Sequence, residues 1–361
     1  MPEHAKTPDG RWVDSLEREM GATWPAIRKA RTTTEEKRSI LRAAFKGKIA
    51  ADTSLVVFGS IAREEFTSGS DSDWMLLVDG QAYPEHGDQR HTISTEMERL
   101  GFSEPGRSGV FGCMTGSHDI VHEIGGEDDT NSNTTRRVLL LLESLPIGNR
   151  EAYDRVRCQI LSRYLRDDRG LVRSDGTFRV PRFLLNDLTR YWRTVTVDFV
   201  YKQRAEGGEK WALRNAKLRM SRKLVFASGL LRCFFCHLDP AAAGAREALA
   251  APKPDMTKLL TYLESELAQT PLELLVRASL ELTAQRATAR KLFDSYDRFL
   301  SVPDNSEKRE VLAGVSGPEV ATSAVWEEIR ELSHDFHSGL LDLFFGENGA
   351  LRELTIHYGL F

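Results

Sequence analysis

The chain has 361 residues, of which 41% are apolar and 28% are charged, and its formal net charge at pH 7 is −4. This balance is typical of a globular protein with a sizeable core, and it excludes a protein that binds polyanions through bulk charge. No apolar run approaches the roughly 18 residues of a membrane span, and the first residues lack the apolar core of a signal peptide. We therefore expect a cytoplasmic protein with no membrane partner.

Residues 1–50 are expected to form N-terminal helices that pack on the domain that follows. Apolar residues recur at spacings of three and four over residues 12–27. The sequence TTEE, which begins at Thr33, is typical of a helix N-terminus. Two helices are therefore predicted, and the second is expected to begin at Thr33.

Residues 51–150 alternate between strand and helix signals, which predicts an α/β (α+β) domain with a mixed sheet. The runs TSLVVF and WMLLV are typical of buried strands, and a short helix is expected between them. The segments GVFGCM and HDIVHEIGG are predicted to form further strands. A helix is expected over RRVLLLLESL, and Pro146 and Gly148 close it.

Residues 151–361 show a different pattern and are expected to form an all-helical domain. Apolar residues at helical spacing are separated by loops rich in Gly, Pro and Asp. The predicted helices cover residues 151–167, 182–204, 210–236, 255–268, 270–300 and 320–345.

The four cysteines are too few to form a disulfide framework in a chain of this length. Cys233, Cys236 and His237 have part of a zinc-site spacing. No second pair of ligands accompanies them, and the sequence around them is apolar. Buried, reduced thiols are therefore the favoured interpretation.

One ordered pattern within residues 51–150 points to chemistry. A strand ends at Gly59-Ser60, and a short helix follows, so free backbone N–H groups and the Ser60 hydroxyl can face a phosphate. Asp71 and Asp73 precede the next apolar run and point to the same side of a strand, about 7 Å apart. Either motif alone is common in turns. Together, with apolar strands on both sides, they indicate a Mg²⁺ site beside a phosphate cradle.

This pattern resembles the DNA polymerase β-type nucleotidyltransferase superfamily, whose signature is Gly-Ser, a gap, and Asp-x-Asp between apolar residues. The nearest resemblance is to the nucleotidyltransferase domain of bacterial protein uridylyltransferases and their relatives, which also have Arg63 and Glu65 in the gap. It covers roughly residues 51–157. Ser72 departs from the pattern, because the family usually has an apolar residue there. The chain also has no copy of the hydrolase and regulatory domains of the uridylyltransferases.

The resemblance implies a Mg²⁺-dependent enzyme that moves a nucleoside monophosphate from a nucleoside triphosphate to a hydroxyl group and releases pyrophosphate. It implies two Mg²⁺ ions, for which Mn²⁺ can substitute, on Asp71, Asp73 and a third carboxylate. Asp119 aligns best with that third carboxylate. Glu123 is the alternative, because residues four apart on a regular strand face the same side.

Related enzymes draw triphosphate contacts from the helical domain, so Lys217 and Ser221 are candidates. Lys217 borders the apolar stripe of the helix over residues 210–232, and Ser221 lies one turn further on its flank. The alternative is that Lys217 is an ordinary surface cation, which is the favoured interpretation for Arg219 and Arg222. The expected nucleotide-binding set is Gly59, Ser60, Arg63, Lys217 and Ser221.

The acceptor is open at this point. One hypothesis is synthesis of an oligonucleotide or a nucleotide signal, as in nucleotidyltransferases of bacterial anti-phage operons, with an operon partner protein or single-stranded nucleic acid as partner. A second is nucleotidylation of a protein or of transfer RNA, as in toxin–antitoxin enzymes, and Tyr358 near the C-terminus is a candidate acceptor within the chain. A third is a non-catalytic module that binds nucleotide.

Overall fold

The computed structural model describes residues 12–359, apart from residues 104, 106–109, 175, 206, 207, 209, 284 and 317–321. Within these residues no single helix is long and apolar enough to cross a membrane. The pair Trp211–Leu238 and Pro240–Ala250, which is bent by 63°, meets the length and composition test only when its two parts are joined.

The N-terminal half of the described chain contains a four-stranded mixed sheet. Its strands are β1 (Thr53–Phe58), β2 (Trp74–Val78), β3 (Cys113–Gly116) and β4 (Ser144–Ile147), in the spatial order β3-β2-β1-β4. β1 is antiparallel to β2 and β4, whereas β2 and β3 are parallel. The predicted mixed sheet is confirmed.

Helices surround the sheet and make up most of the remaining chain. Those of the first half are α1 (Trp12–Met20), α2 (Pro25–Phe45), α3 (Ser60–Arg63), α4 (Pro84–Arg99), α5 (Ser117–Val121) and α6 (Asn131–Leu142). The second half contains α7 (Glu151–Asp167), α8 (Arg182–Ala205), α9 (Trp211–Lys217), a π-turn (Leu218–Arg222), α10 (Lys223–Leu238), a 3₁₀ turn (Pro240–Ala242), α11 (Ala243–Ala250), α12 (Thr257–Leu267), α13 (Pro271–Leu282), α14 (Arg286–Asp304), α15 (Ser306–Gly314), α16 (Ala324–Phe345), α17 (Gly349–Leu354) and a second π-turn (Thr355–Gly359). The predicted helical region is confirmed.

Alternation along the central strands divides the core between the two faces of the sheet. Leu55 and Val57 of β1 pack in a cluster that also contains residues of α2 and α4. Val56 and Phe58 pack on the other face, in a cluster that continues through α6, α7, α8 and α10. One face of the sheet therefore shares a continuous core with the helical region, which holds that face against the helices.

The N-terminal helices contact the helical region as well as the sheet domain. The indole N–H of Trp24 donates to Asp294 of α14 at 2.9 Å, and the backbone N–H of Ile27 donates to Asp297 at the same distance. α2 also packs against α3 and β4. Its position ties α14 to the part of the sheet where β1 ends.

Several predicted elements differ from those observed. The segment HDIVHEIGG is not a strand: residues Ser117–Val121 form α5, and the adjacent apolar residues Ile120 and Val121 with Ile124 fit a helical spacing rather than strand alternation. Residues Ser144–Ile147, expected at a helix end, form β4, an edge strand where Pro146 is tolerated. α2 begins at Pro25 rather than at Thr33. The single helix expected over residues 270–300 is divided into α13 and α14.

Candidate active site

The Gly-Ser turn and the two aspartates meet at one end of the central strands β1 and β2. Because β1 and β2 are antiparallel, the end of β1 lies beside the start of β2. The backbone N–H of Phe58 donates to the carbonyl oxygen of Asp73 at 2.9 Å. Gly59 and Ser60 follow β1 directly, and Asp71 and Asp73 lie just before β2, so the four residues line one cavity.

Gly59 has a backbone conformation that only glycine adopts easily. Its φ is +68° and its ψ is −141°, a region that is strained for residues with a Cβ. A Cβ added there would lie 3.6 Å from Oδ2 of Asp73. The glycine therefore allows the chain to turn from β1 into α3 while remaining close to the Asp73 carboxylate.

The two aspartates have different electrostatic environments. Burial raises the pKa of Asp73; Arg222 opposes this effect, and the charge of Asp71 adds to it. For Asp71, partial burial acts in the same direction, but the ammonium of Lys217 and more distant cations lower the net pKa. Lys217 Nζ lies 2.8 Å from Asp71 Oδ2. Two neighbouring carboxylates, one exposed and one partly buried, are an arrangement that a divalent cation would stabilise.

The donor set suits Mg²⁺ held together with a substrate. Among the residues that the structure describes, no group of three or more His, Cys, Asp and Glu side chains is arranged to hold a metal. Mg²⁺ in nucleotide enzymes is commonly bound through one or two carboxylates and the phosphates of the substrate. Asp71 and Asp73 therefore fit a metal whose remaining ligands come from a triphosphate and water.

The cavity beside Gly59 and Ser60, which we call the inner cavity, has a lining of mixed polarity. Its free space is about 810 Å³, including solvent at its mouth. Besides Ser60 and the aspartates, its polar lining residues include Thr67, Ser70, Lys217, Ser221, Arg222 and Arg309. Its apolar lining residues include Leu213, Phe299, Leu300, Pro303, Leu312 and Ile329. The structure thus brings the predicted residues Lys217 and Ser221 to the aspartates.

Arg222 also borders the inner cavity, although a regular helical projection predicts that it lies at the surface. Residues Leu218–Arg222 form a π-turn, in which the hydrogen-bonded turn contains an extra residue. The extra residue rotates the following side chains relative to an α-helical projection, so Arg222 turns toward the aspartates. Arg219 points away, as expected, and its guanidinium donates to Asn215 at 2.7 Å.

A network of buried ion pairs lies next to the inner cavity and fixes some of the residues that line it. Arg63 binds both Glu65, with Nε 2.8 Å from Oε2, and Glu143, which is fully buried. Glu143 also binds Arg222, and Tyr296 donates to Glu65 at 2.9 Å. Burial alone would raise the pKa of Glu143, but Arg222 and Arg63 lower it. Glu143 is therefore an ionised anchor that orients Arg222.

Arg63, which was expected to contact the nucleotide, is instead bound to two buried carboxylates. It borders the inner cavity, but its side chain is buried and is bound to Glu65 and Glu143. These partners assign it to the ion network that holds the floor of the cavity.

Asp119 and Glu123 do not complete the metal site. Asp119 lies in α5, three residues beyond Gly116, which is paired with Val78 at the far end of β2. Val78 is five residues from Asp73, which corresponds to roughly 16 Å along a strand. Glu123 is further along and accepts a hydrogen bond from Asn133. The expectation of a third metal ligand at Asp119 is not met, because the strand expected there is a helix beyond the opposite end of the sheet.

A second space, which we call the outer cleft, opens on the β3 side of the aspartates. Its free volume is about 1550 Å³ with the solvent at its mouth, and Asp71, Asp73, Lys217 and Arg222 border it as well as the inner cavity. Its remaining walls are Val110, Phe111, Asn131, Ser132, Thr135, Leu139, Tyr191, Val195, Asp198, Phe199, Tyr201, Lys202, Arg214 and Leu218. By extension of the β2–β3 register, Phe111 is opposite Asp73, where a neighbouring strand would have to supply a third carboxylate.

Tyr358 and the cysteines lie apart from this site. Tyr358 borders a separate hollow with residues of α7 and the start of α8, and it is partly buried against the main core. Cys233 and Cys236 are buried free thiols in α10, and burial raises the pKa of Cys233 to about 12.

Three residues of the site were absent from the expected set: Glu143, Arg222 and Arg309. Glu143 had a signal, because a carboxylate directly after the apolar run VLLLL requires a buried cation. Arg222 had none, since a π-turn cannot be read from helical periodicity. Arg309 reaches the cavity over Gly69, where an added Cβ would overlap its side chain, so its position depends on the tertiary fold.

Comparison with known families agrees with this geometry. A family model described as a nucleotidyltransferase domain matches residues 36–102, the segment that contains β1, α3, β2 and the Gly-Ser and Asp-x-Asp motifs. The chain therefore carries a nucleotidyltransferase domain of the DNA polymerase β type, which confirms that part of the sequence prediction and supports nucleotidyl transfer as the general activity. No curated protein matches the chain.

Proposed function

We propose that the protein transfers a nucleoside monophosphate from a ribo- or deoxyribonucleoside triphosphate to a hydroxyl group and releases pyrophosphate. The observation that carries this proposal is the convergence of Asp71 and Asp73 with the Gly59-Ser60 turn and the cations Lys217 and Arg222 in one cavity. Catalysis of phosphoryl transfer requires metal-binding carboxylates and hydrogen-bond donors for the phosphates close to one another.

The residues of the inner cavity divide the work of binding. The Ser60 hydroxyl and the backbone at Gly59 face the β- and γ-phosphates, and Ser221 and Lys217 contact the same phosphates from the helical side. Arg222, held by Glu143, stabilises the negative charge that develops on the leaving pyrophosphate. Fixed cations contribute more here than mobile ones, because they need no reorganisation during the reaction.

Asp71 and Asp73 would hold the metal. Bound there, Mg²⁺ or Mn²⁺ would supply neutralisation of the phosphate charge and a lowered pKa for the acceptor hydroxyl. Lys217, which pairs with Asp71 in the structure, would then be released toward the phosphates.

The test is to incubate the purified protein with Mg²⁺ or Mn²⁺ and each ribo- and deoxyribonucleoside triphosphate in turn, and to measure pyrophosphate release. Asp71→Asn and Asp73→Asn should each lower the rate about a thousandfold, because the metal supplies several kcal/mol of transition-state stabilisation. Asp119→Asn is the matched control and should stay within twofold. Full activity in either of the first two variants, with their folding intact by circular dichroism, would sink the proposal.

For the product, we propose an oligonucleotide or a nucleotide signal made in defence against phage. The supporting features are the nucleotidyltransferase domain itself and the cations that border the outer cleft beside it. Cells that carry the intact gene should resist phage, and cells with the Asp71→Asn, Asp73→Asn double variant should not. An added nucleotide mass on the protein, removed by Tyr358→Phe, would instead establish self-modification.

A further inference from the structure

The outer cleft and the inner cavity lie on opposite sides of the aspartate pair. In the sheet order β3-β2-β1-β4, Gly59 and Ser60 follow β1, whereas Val110 and Phe111 precede β3. The aspartates, which precede β2, therefore lie between the two spaces. Displacement at phosphorus requires the attacking and leaving oxygens to be roughly in line. If the β- and γ-phosphates occupy the inner cavity, the acceptor hydroxyl must approach through the outer cleft.

The wall of the outer cleft contributed by α8 combines aromatic and cationic side chains. Tyr191, Val195, Phe199 and Lys202 recur at spacings of four, four and three, so they form one face of the helix. Tyr201 also borders the cleft, and its side chain is 69% exposed. An exposed aromatic ring next to a cation on one helix is a surface on which a base can stack while the cation contacts a phosphate.

The charged residues of the outer cleft favour an anionic acceptor over a cationic one. Apart from the metal-binding pair, its walls carry one acid, Asp198, against four cations, Lys202, Arg214, Lys217 and Arg222. A polycationic small molecule would be repelled by this lining, whereas a polyanion would be attracted.

We propose that the outer cleft receives the 3′ end of a single-stranded polynucleotide, whose terminal hydroxyl is the acceptor; this inference rests on the proposed nucleotidyl transfer. The 3′ oxygen forms a bond to the α-phosphorus as the bond from that phosphorus to the oxygen leading to the β-phosphate breaks. Pyrophosphate leaves with the electron pair of the broken bond, and the hydroxyl proton passes to solvent. A base stacks on Tyr201, and Lys202 contacts the polynucleotide backbone.

The experiment has two readouts on the full chain. The first is the anisotropy of fluorescent, mixed-sequence single-stranded RNA and DNA 12-mers titrated with protein in Mg²⁺ without triphosphate. The second is extension of the same oligonucleotides and release of pyrophosphate when triphosphates are added. Tyr201→Ala and Lys202→Glu are the test variants. Leu341→Ala and Lys46→Glu are the matched controls, because both residues are exposed and lie outside the cleft.

We expect Tyr201→Ala to weaken oligonucleotide binding at least tenfold, and Lys202→Glu to weaken it and to reduce its salt dependence by about one phosphate contact. The controls should bind as the native protein does. An oligonucleotide that ends in a 3′-deoxynucleotide should bind equally well without being extended. The RNA and DNA arms identify the sugar that the cleft prefers.

The two readouts separate the possible failures. Pyrophosphate release without oligonucleotide binding or extension, or with equal extension by Tyr201→Ala and the native protein, would overturn the polynucleotide acceptor and leave the proposed transferase activity intact. The polynucleotide acceptor is likewise overturned if the nucleotide appears on a protein or a free mononucleotide instead. An absence of pyrophosphate release with every triphosphate, with and without oligonucleotide, would overturn the transferase activity, and the acceptor with it.

Discussion

The inner cavity and the outer cleft share the same two aspartates but are built in different ways. Beside the inner cavity, Arg63 and Arg222 are held by buried partners: Glu143 binds both arginines, and Glu65 and Tyr296 complete the network. In the outer cleft, α8 contributes Phe199, Tyr201 and Lys202 near its C-terminal end, where Tyr201 is 69% exposed. The difference indicates that the triphosphate side is preorganised for one ligand, whereas the acceptor side tolerates variation.

The largest expected effect tests the preorganised side. Arg222→Met should destabilise the fold by about 3 kcal/mol, because it leaves the buried carboxylate of Glu143 with one cation in place of two. It should also lower kcat/KM at least a hundredfold through loss of a fixed cation at the phosphates. Urea unfolding and pyrophosphate release measure the two effects.

The Glu143→Gln, Arg222→Met double variant is the control for this prediction. It should recover part of the stability lost in Arg222→Met, since no unpaired carboxylate remains, but it should recover none of the activity. If Arg222→Met has the same urea midpoint of unfolding as the native protein, the ion network does not stabilise the inner cavity. The proposed difference between the inner cavity and the outer cleft would then be wrong.

The second prediction concerns the backbone of the inner cavity. Gly59→Ala should destabilise the protein by about 2 kcal/mol, because alanine is strained at φ +68° and ψ −141°. It should also reduce turnover, since the new Cβ would lie against the Asp73 carboxylate. Gly116→Ala is the matched control at the other end of the sheet: φ there is −74° and the added Cβ meets open space. Equal melting temperatures for the two variants would contradict the prediction.

The sequence predicted the parts of this architecture that depend on local pattern. Apolar strands flank the two motifs, so β1, β2 and the position of Gly59 and Asp73 followed from residue order alone. The helical region followed from periodicity. Lys217 and Ser221 reached the cavity as expected, because the four-residue spacing places them one turn apart along the helix that borders it.

The remaining parts depend on tertiary structure. The resemblance to the family's aspartate-bearing strand predicts a strand at Asp119, but α5 packs Ile120 and Val121 into the core and removes Asp119 from the site. A regular helical projection predicts that Arg222 lies at the surface, but the π-turn interrupts the helix there. Arg309 approaches from α15, far along the chain from the motif, and no local pattern predicts such a contact.

The third prediction compares cations on the two sides of the aspartates. Lys217→Met should raise the dissociation constant of a nucleoside triphosphate about tenfold, equivalent to about 1.4 kcal/mol. It should change stability by less than about 0.5 kcal/mol, because the Lys217–Asp71 pair is half exposed. Titration with a fluorescent triphosphate analogue measures the binding. Lys202→Met in the outer cleft is the control and should leave triphosphate binding unchanged. An equal loss of triphosphate affinity in both variants would mean that the inner cavity and the outer cleft do not bind different ligands.

The smallest effect separates two neighbouring cations on one helix. Arg222 has a buried anionic partner, whereas burial, aided by Arg219, lowers the pKa of Lys223 to about 8. Below pH 8 the folded protein must carry the Lys223 charge in a poorly solvated place, and this penalty declines as the pH rises from 8 toward the unfolded value near 10.4. Lys223→Met should therefore stabilise the protein by about 1 kcal/mol at pH 7, and by progressively less up to pH 10. Urea unfolding of both proteins at pH 7, 8.5 and 10 measures the difference, with exposed Lys46→Met as control. A gain that is constant with pH would mean that the substitution acts through packing, so that the contrast between Arg222 and Lys223 is not one of charge.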